Sequence, residues 1–180
     1  MTLRRLELRR HADNDGDALT EKGRAVAERV GHRMEGPYDA VFSSPAKRAA
    51  ETVAWLLRGL GQQLPQTHGV SDGLASAVED RWRDAAKRSG TGRIDDIERE
   101  DTDLVETEKG RLADAMLQML AAVQDGQTAL AVGHSPFLEA GVYALTGRVI
   151  EPLGTCEGVV LAHDGERLTI EREHRLEAGA

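Results

Sequence analysis

The chain has a single cysteine, Cys156, so no disulfide can form within it, which suits a reducing compartment. Aromatic residues are only 3% of the chain, leaving the core to Leu, Val and Ala and arguing against a stacking platform for single-stranded nucleic acid. No apolar run approaches the ~20 residues that span a bilayer, and the stretch Met1 to Glu7 lacks the apolar segment of a secretion signal. Acidic residues outnumber basic ones, 31 to 23. A formal net charge of -8 disfavours polyanion binding over a broad face and leaves room only for a local basic pocket. These absences predict a cytoplasmic protein that partners neither nucleic acid nor membrane.

What is present suits a soluble globular fold: 180 residues, 40% hydrophobic and 30% charged, expected as one domain over 1–180. Leu3 to Arg9 reads as a strand with Leu6 and Leu8 on one face. Thr20 predicts the N-cap of a helix to about Met34, with Val26, Val30 and Met34 spaced four apart. Tyr38 to Phe42 reads as a second strand, Ser44-Pro45 as a helix start, and Gln63 to Val70 as a third strand. Residues 71–107 read as an acidic insertion, with a helix within Leu74 to Lys87, a flexible break at Ser89 to Gly92 and a solvated or mobile acidic run at Asp95 to Asp103. A helix from Leu112 to Val123, a buried strand from Thr128 to Val132 and a second Ser-Pro start at Ser135-Pro136, leading to a helix from Phe137 through Thr146 that Gly147 stops, follow. Two last strands flank Asp164-Gly165, read as a two-residue hairpin turn.

Strands alternating with amphipathic helices predict a three-layer α/β/α sandwich around a mostly parallel sheet, closed by a C-terminal antiparallel hairpin. Ligands of such sheets sit at the carboxyl ends of the strands. Arg10-His11, Ser43-Ser44 and Gly133-His134 all fall just past a predicted strand, so they converge on one edge. Helix starts there offer free N–H groups, and Arg10 and Arg48 offer guanidinium forks, a combination that suits a phosphate. A neutral imidazole among those cations keeps a free ring nitrogen for attack. His11, flanked by Arg10, is the expected nucleophile in phosphoryl transfer followed by hydrolysis, with His134 and Ser135 beside the phosphoryl oxygens.

The motifs then become recognisable. Arg10-His11-Ala12 resembles the Arg-His-Gly signature of the histidine phosphatase superfamily, the phosphoglycerate-mutase-like proteins. Leu19-Thr20-Glu21-Lys22-Gly23 resembles its Leu-Thr-x-x-Gly, and Ser43 to Thr52 its Ser-Ser-x-x-x-Arg-Ala-x-x-Thr. Val132 to Pro136 is similar to its Val-Gly-His-x-Pro. The resemblance implies a phosphoglycerate-mutase-like fold, phosphorylation at His11, a phosphate pocket completed by Arg10, Arg48 and His134, and no metal or other cofactor. Asp17 stands where members place a phosphate-contacting Asn, although an acid there would repel substrate.

One departure bears on substrate. Many phosphomonoesterases and mutases of this family carry a Leu-x-Glu whose carboxylate protonates the leaving oxygen. Here Leu74-Ala75-Ser76 has Ser instead, leaving Asp72, Glu79 or Asp80 as substitute acids. Lacking an acid costs roughly a hundredfold or more for an alkoxide leaving group, and less for an imidazole that takes its proton from solvent. The small bacterial phosphohistidine phosphatases of this superfamily lack that acid, so a phosphohistidine protein is the favoured substrate. A phosphorylated small molecule, a mutase-type reaction and a non-catalytic phospho-ligand binder are the alternatives. The acidic run is further expected to overhang the pocket and screen out polyanionic substrates.

Overall fold

The computed structural model describes residues 3–177; Met1 and Thr2, part of the stretch read above for a secretion signal, lie outside them. In chain order the elements are β1 (Arg4–Arg10), a small hairpin of β2 (Asn14–Asp15) and β3 (Ala18–Leu19), α1 (Glu21–Gly31), β4 (Ala40–Ser43), α2 (Lys47–Leu60) and β5 (Thr67–Val70). A 3-10 turn (Asp72–Leu74) leads to α3 (Glu79–Ser89), α4 (Ile94–Glu100) and α5 (Thr102–Ala121). The chain ends with β6 (Thr128–Gly133), α6 (Phe137–Thr146), β7 (Gly158–His163) and β8 (Leu168–His174).

Six strands form one sheet in the order β5-β4-β6-β1-β7-β8. The pairs β5–β4, β4–β6 and β6–β1 are parallel, whereas β1–β7 and β7–β8 are antiparallel. Side-chain alternation separates two cores. Leu6, Leu8, Ala129 and Ala131 pack with Met116, Met119, Leu120, Leu138 and Val142 from α5 and α6. On the other face Val41, Leu130 and Val132 pack with Val26, Val30, Val53 and Leu56 from α1 and α2. This is the expected three-layer sandwich.

That second face of β1 is not apolar. Glu7 and Arg9 point into it and are both buried. A charge removed from water must be paired and hydrogen-bonded, and here Arg9 Nε donates to Glu7 Oε1 at 2.6 Å while the Tyr38 hydroxyl donates to Glu7 Oε2 at 2.5 Å.

Thr20 caps α1 as expected, its hydroxyl accepting from Gly23 N–H at 2.9 Å. Gly23 is required by close approach: a Cβ there would lie 2.1 Å from the Asp13 carbonyl oxygen. The helix ends at Gly31, earlier than the four-residue spacing predicts, although Met34 is still buried. The last hairpin is wider than a two-residue turn, because the Asp164 carboxylate accepts from Glu166 N–H at 2.9 Å and Arg167 N–H at 2.8 Å and holds a four-residue loop.

Residues 71–107 depart furthest from expectation. They fold into α3, α4 and the start of α5 around a third core, with Trp82, Ile94, Ile97 and Leu104 all buried against Phe137. Gly90, in the left-handed region at φ 71°, ends α3 where a flexible break was expected. The acidic run is helical and neutralised by neighbours: Asp101 and Asp103 pair with Arg81, and Asp95 and Asp96 with Arg93 and Arg99. Sequence patterning missed this because a few apolar residues, widely spaced among charges, carry the whole burial.

Candidate active site

The sheet order determines what meets at its carboxyl edge. β6 lies between β1 and β4, with Arg10 opposite Gly133 and Ser43 opposite Val132. The ladders run one residue further, as His11 N–H donates to Gly133 O and Ser44 N–H to Val132 O, each at 3.0 Å. His134 therefore sits between His11 and Ser44, and the two imidazole centroids are 5.1 Å apart.

Each ring is oriented by a specific partner. His11 Nδ1 lies 2.8 Å from the Ala12 carbonyl oxygen, so Nδ1 carries the proton and Nε2 keeps its lone pair. His134 Nδ1 accepts from Arg48 Nη2 at 3.3 Å, leaving Nε2–H to donate to Ser44 Oγ at 2.7 Å. Burial, with Arg10 and Arg48 nearby, lowers the His11 pKa to about 4. Burial, then His11, Arg48 and Arg10, lowers that of His134 to about 3. Two neutral imidazoles thus sit among cations, an arrangement able to offer a nitrogen lone pair to an electrophilic phosphorus.

The cleft in front of them has a volume of about 250 Å³ and is lined by His11, Arg48, His134, Ser135, Phe137 and, from α3, Glu79, Trp82 and Arg83 among others. The floor is shared with the third core: Trp82 meets Phe137 edge-on at 5.6 Å, and Phe137 meets His134 at 6.0 Å. A larger apolar groove of about 470 Å³ between β5 and α2 shares none of these lining residues. Thr52 ties the site to α2, accepting from Ala12 N–H at 2.9 Å and donating to Arg48 O at 2.7 Å. That pair of hydrogen bonds is a physical reason for the Arg-x-x-x-Thr spacing.

Arg10, half-buried, is held at both ends. Its N–H donates to Glu157 O at 2.9 Å, and its Nη1 to Leu153 O at 2.7 Å.

Ser135-Pro136 leads into α6 at Phe137 as the sequence suggests, with the Ser135 hydroxyl donating to Glu139 Oε1 at 2.6 Å. Ser44-Pro45 does not start α2, which begins only at Lys47, the Ser44 hydroxyl being taken by His134. Nor are the first amides of α2 free. Asp17 Oδ2 and Oδ1 accept from Lys47 N–H and Arg48 N–H at 3.2 and 3.5 Å, and Oδ1 accepts from Arg48 Nη1 at 3.0 Å. Burial opposes ionisation of Asp17, but these amides and the guanidinium outweigh it and lower its pKa. Asp17 is thus at the rim of the site as a partner of Arg48, and a carboxylate so engaged has no proton to give a phosphate oxygen.

Among the candidate acids, Glu79 reaches the cleft mouth. Asp72 does not line it; it belongs to the 3-10 turn, where its carbonyl accepts from Arg111 at 3.3 Å. Asp80 is turned to Arg83 at 2.8 Å. The residues of the acidic run do not line the cleft either, so they do not overhang it. Sequence reasoning passed over three contributors: Ser44, although it stood in a quoted motif, Arg83, one turn from Glu79, and Glu139, a lone charge in an apolar helix. Among the described residues no cluster of three or more His, Cys, Asp or Glu is placed to hold a metal ion. No helix among them is long and apolar enough to cross a membrane.

The family model of the histidine phosphatase superfamily (branch 1) matches residues 2–173. The chain belongs to the histidine phosphatase superfamily. Solved structures share its fold. A phosphoserine phosphatase from Entamoeba histolytica, in complex with 3-phosphoglyceric acid, superposes with a TM-score of 0.68 at 15% identity, over 96% of this chain and 98% of that one. A phosphoglycerate mutase from Bacillus anthracis gives 0.67 at 17% identity, over 94% and 92%. The protein histidine phosphatase SixA, complexed with tungstate, gives 0.61 at 16% identity, over 94% and 96%. No curated protein matches this histidine phosphatase superfamily member in sequence.

Proposed function

We propose that this enzyme hydrolyses a phosphorylated substrate through a phosphohistidine formed on His11, and that the substrate is a phosphohistidine protein. The observation that carries the reading is the pair of buried, neutral imidazoles, one of them bonded to Arg48. His11 Nε2 attacks phosphorus in line, the bond from phosphorus to the leaving group breaks, and the leaving imidazole takes a proton from solvent. The phosphorylated ring of His11 becomes cationic, and the Ala12 carbonyl on Nδ1–H stabilises it. Water then attacks phosphorus, releases inorganic phosphate and returns the neutral ring.

Arg10, Arg48 and His134 hold the equatorial oxygens in this scheme, with Ser135 at the edge of the pocket. His134 donates from Nδ1 by exchanging tautomers, the Ser44 hydroxyl turning to donate to Nε2 and Arg48 Nη2 passing from Nδ1 to a phosphoryl oxygen. Asp17 anchors Arg48 rather than touching phosphate. A cytoplasmic setting fits such a substrate. Turnover is expected to persist in EDTA, since every step runs through side chains named here.

The choice of substrate rests on the missing acid. Among the residues lining the cleft Glu79 carries the only carboxylate, and it is exposed, with no hydrogen-bond partner among the described residues. A general acid has to be held within reach of the leaving oxygen. The second reading, a small-molecule phosphomonoesterase, is favoured by this same residue if substrate orders it. A panel comparing a phosphohistidine protein with sugar phosphates and p-nitrophenyl phosphate, run on wild type and Glu79→Gln, separates the two. The proposal expects the phosphohistidine protein to be the best substrate and to lose under about threefold in Glu79→Gln. A monoester preference that falls roughly a hundredfold in Glu79→Gln would establish the second reading instead.

The pH dependence follows from the two depressed histidines. Both stay neutral as acid is added, down to about 4 for His11 and about 3 for His134. Corrected for substrate ionisation, kcat/KM should therefore show no acid limb near the ordinary histidine value of 6.5. An acid limb there, assigned to His11 by its NMR titration, would contradict the neutral-nucleophile scheme. The sign for stability is fixed by the same shifts. An unfolded chain takes up these protons first, so the stability the two rings contribute above 6.5 is lost as pH falls towards about 4.

A further inference from the structure

Glu139 lies in the first turn of α6 with only 1% of its surface exposed. An isolated buried carboxylate is expensive unless it is hydrogen-bonded, and Glu139 uses one oxygen for two bonds. Oε1 accepts from the Ser135 hydroxyl at 2.6 Å and from Leu153 N–H at 2.7 Å. Leu153 presents its carbonyl to Arg10 Nη1 at 2.7 Å. One peptide residue is thus gripped by Glu139 on its amide side and by Arg10 on its carbonyl side. Ser135 adjoins His134, so the same carboxylate joins the two halves of the site.

The segment that carries Leu153, residues 148–157, has no helix or strand to fix it. Its position depends on such bonds and on the buried side chains of Ile150 and Leu153, and the aim of a guanidinium on a side chain with several rotatable bonds depends on its partners in turn. Neither Glu139 nor Leu153 lines the cleft. Arg10 Nε and Glu139 Oε2 are both buried without a partner among the described residues; burial raises the Glu139 pKa, and the Leu153 amide, the Ser135 hydroxyl and the Arg10 cation act against that rise. Contact with substrate is not available to Glu139; support of Arg10 is.

We propose that Glu139 is a positioning residue for Arg10, holding Leu153 where its carbonyl aims the guanidinium at the phosphoryl group bound beside His11. It rests on the phosphoryl chemistry proposed above. Two conservative replacements separate the position of the acceptor from its charge. Glu139→Gln keeps an oxygen at the same reach and removes the charge, whereas Glu139→Asp keeps the charge and withdraws the oxygen by one methylene.

The measurement is the affinity of orthovanadate by titration calorimetry, together with kcat and KM, in wild-type and Arg10→Ala backgrounds. Glu139→Gln should stay within about threefold of wild type, and Glu139→Asp should weaken vanadate about tenfold, less than the roughly hundredfold in rate that a 1 Å misplacement can cost. In the Arg10→Ala background Glu139→Asp should cost less than about twofold, because the group it aims is gone. The reverse order of the two variants would overturn the proposal, as would no effect from Glu139→Asp or the same loss with and without Arg10. Wild-type protein that fails to bind vanadate would overturn the phosphoryl chemistry itself, and with it this role.

Discussion

His11→Ala should lose turnover by on the order of 10³-fold or more, because no other group in the cleft can take over the covalent step. The site offers the reason. His134 is the second imidazole, but its Nε2 is committed to Ser44 and its Nδ1 faces Arg48. Losing the His11 ring leaves β1 and its backbone bonds to Gly133 and Glu157 in place, so the fold should persist and circular dichroism should be unchanged. Arg10, Arg48 and His134 also remain, so orthovanadate should still bind the variant, though more weakly. Turnover within about tenfold of wild type in a folded His11→Ala protein would show that the phosphoryl group never passes through this residue.

Arg48→Ala should cost about 10²- to 10³-fold in kcat/KM, the scale of removing one preorganised donor from developing charge. The guanidinium serves three partners at once. It donates to His134 Nδ1 at 3.3 Å and to Asp17 Oδ1 at 3.0 Å, and it faces the cleft where the phosphoryl oxygens are proposed to sit. Removing it also relieves His134 and His11 of a positive neighbour, so both pKa values should rise in the variant. Arg48→Lys keeps the charge but not the fork, and should recover only part of the loss. Vanadate calorimetry and histidine NMR titrations check both consequences. An Arg48→Ala enzyme with unchanged KM, kcat and histidine titration would remove Arg48 from the site.

The parts of this molecule that could be read from residues alone are those where one local rule decides. Val26 and Val30 keep helical spacing after a Thr20 cap, and α1 forms there. The strands ending at Arg10, Ser43 and Gly133 are parallel neighbours, so the residues after them had to meet. Other parts depend on partners far away in the chain. Asp17 caps α2 from thirty residues upstream, a contact that no local pattern announces. Glu7 and Arg9 look like solvent-facing residues of a half-buried strand, yet they neutralise each other inside the protein. Glu139 reads as the polar face of α6 for the same reason. In residues 71–107 the many charged residues hid the buried side chains, Trp82, Ile94, Ile97 and Leu104 among them, that fold the segment over the site. Tertiary pairing, which cancels the cost of burying charge, is what local sequence rules cannot see.

The central claim is a covalent phosphoryl group on His11 Nε2. It is tested by quenching the enzyme in alkali during turnover of a ³²P-labelled phosphohistidine protein, then mapping the label on the denatured chain. Near-stoichiometric, acid-labile and alkali-stable label is expected on the peptide that carries Arg10-His11-Ala12, and none in His11→Ala. Label on another peptide, or steady turnover with an enzyme that never carries label, would contradict it.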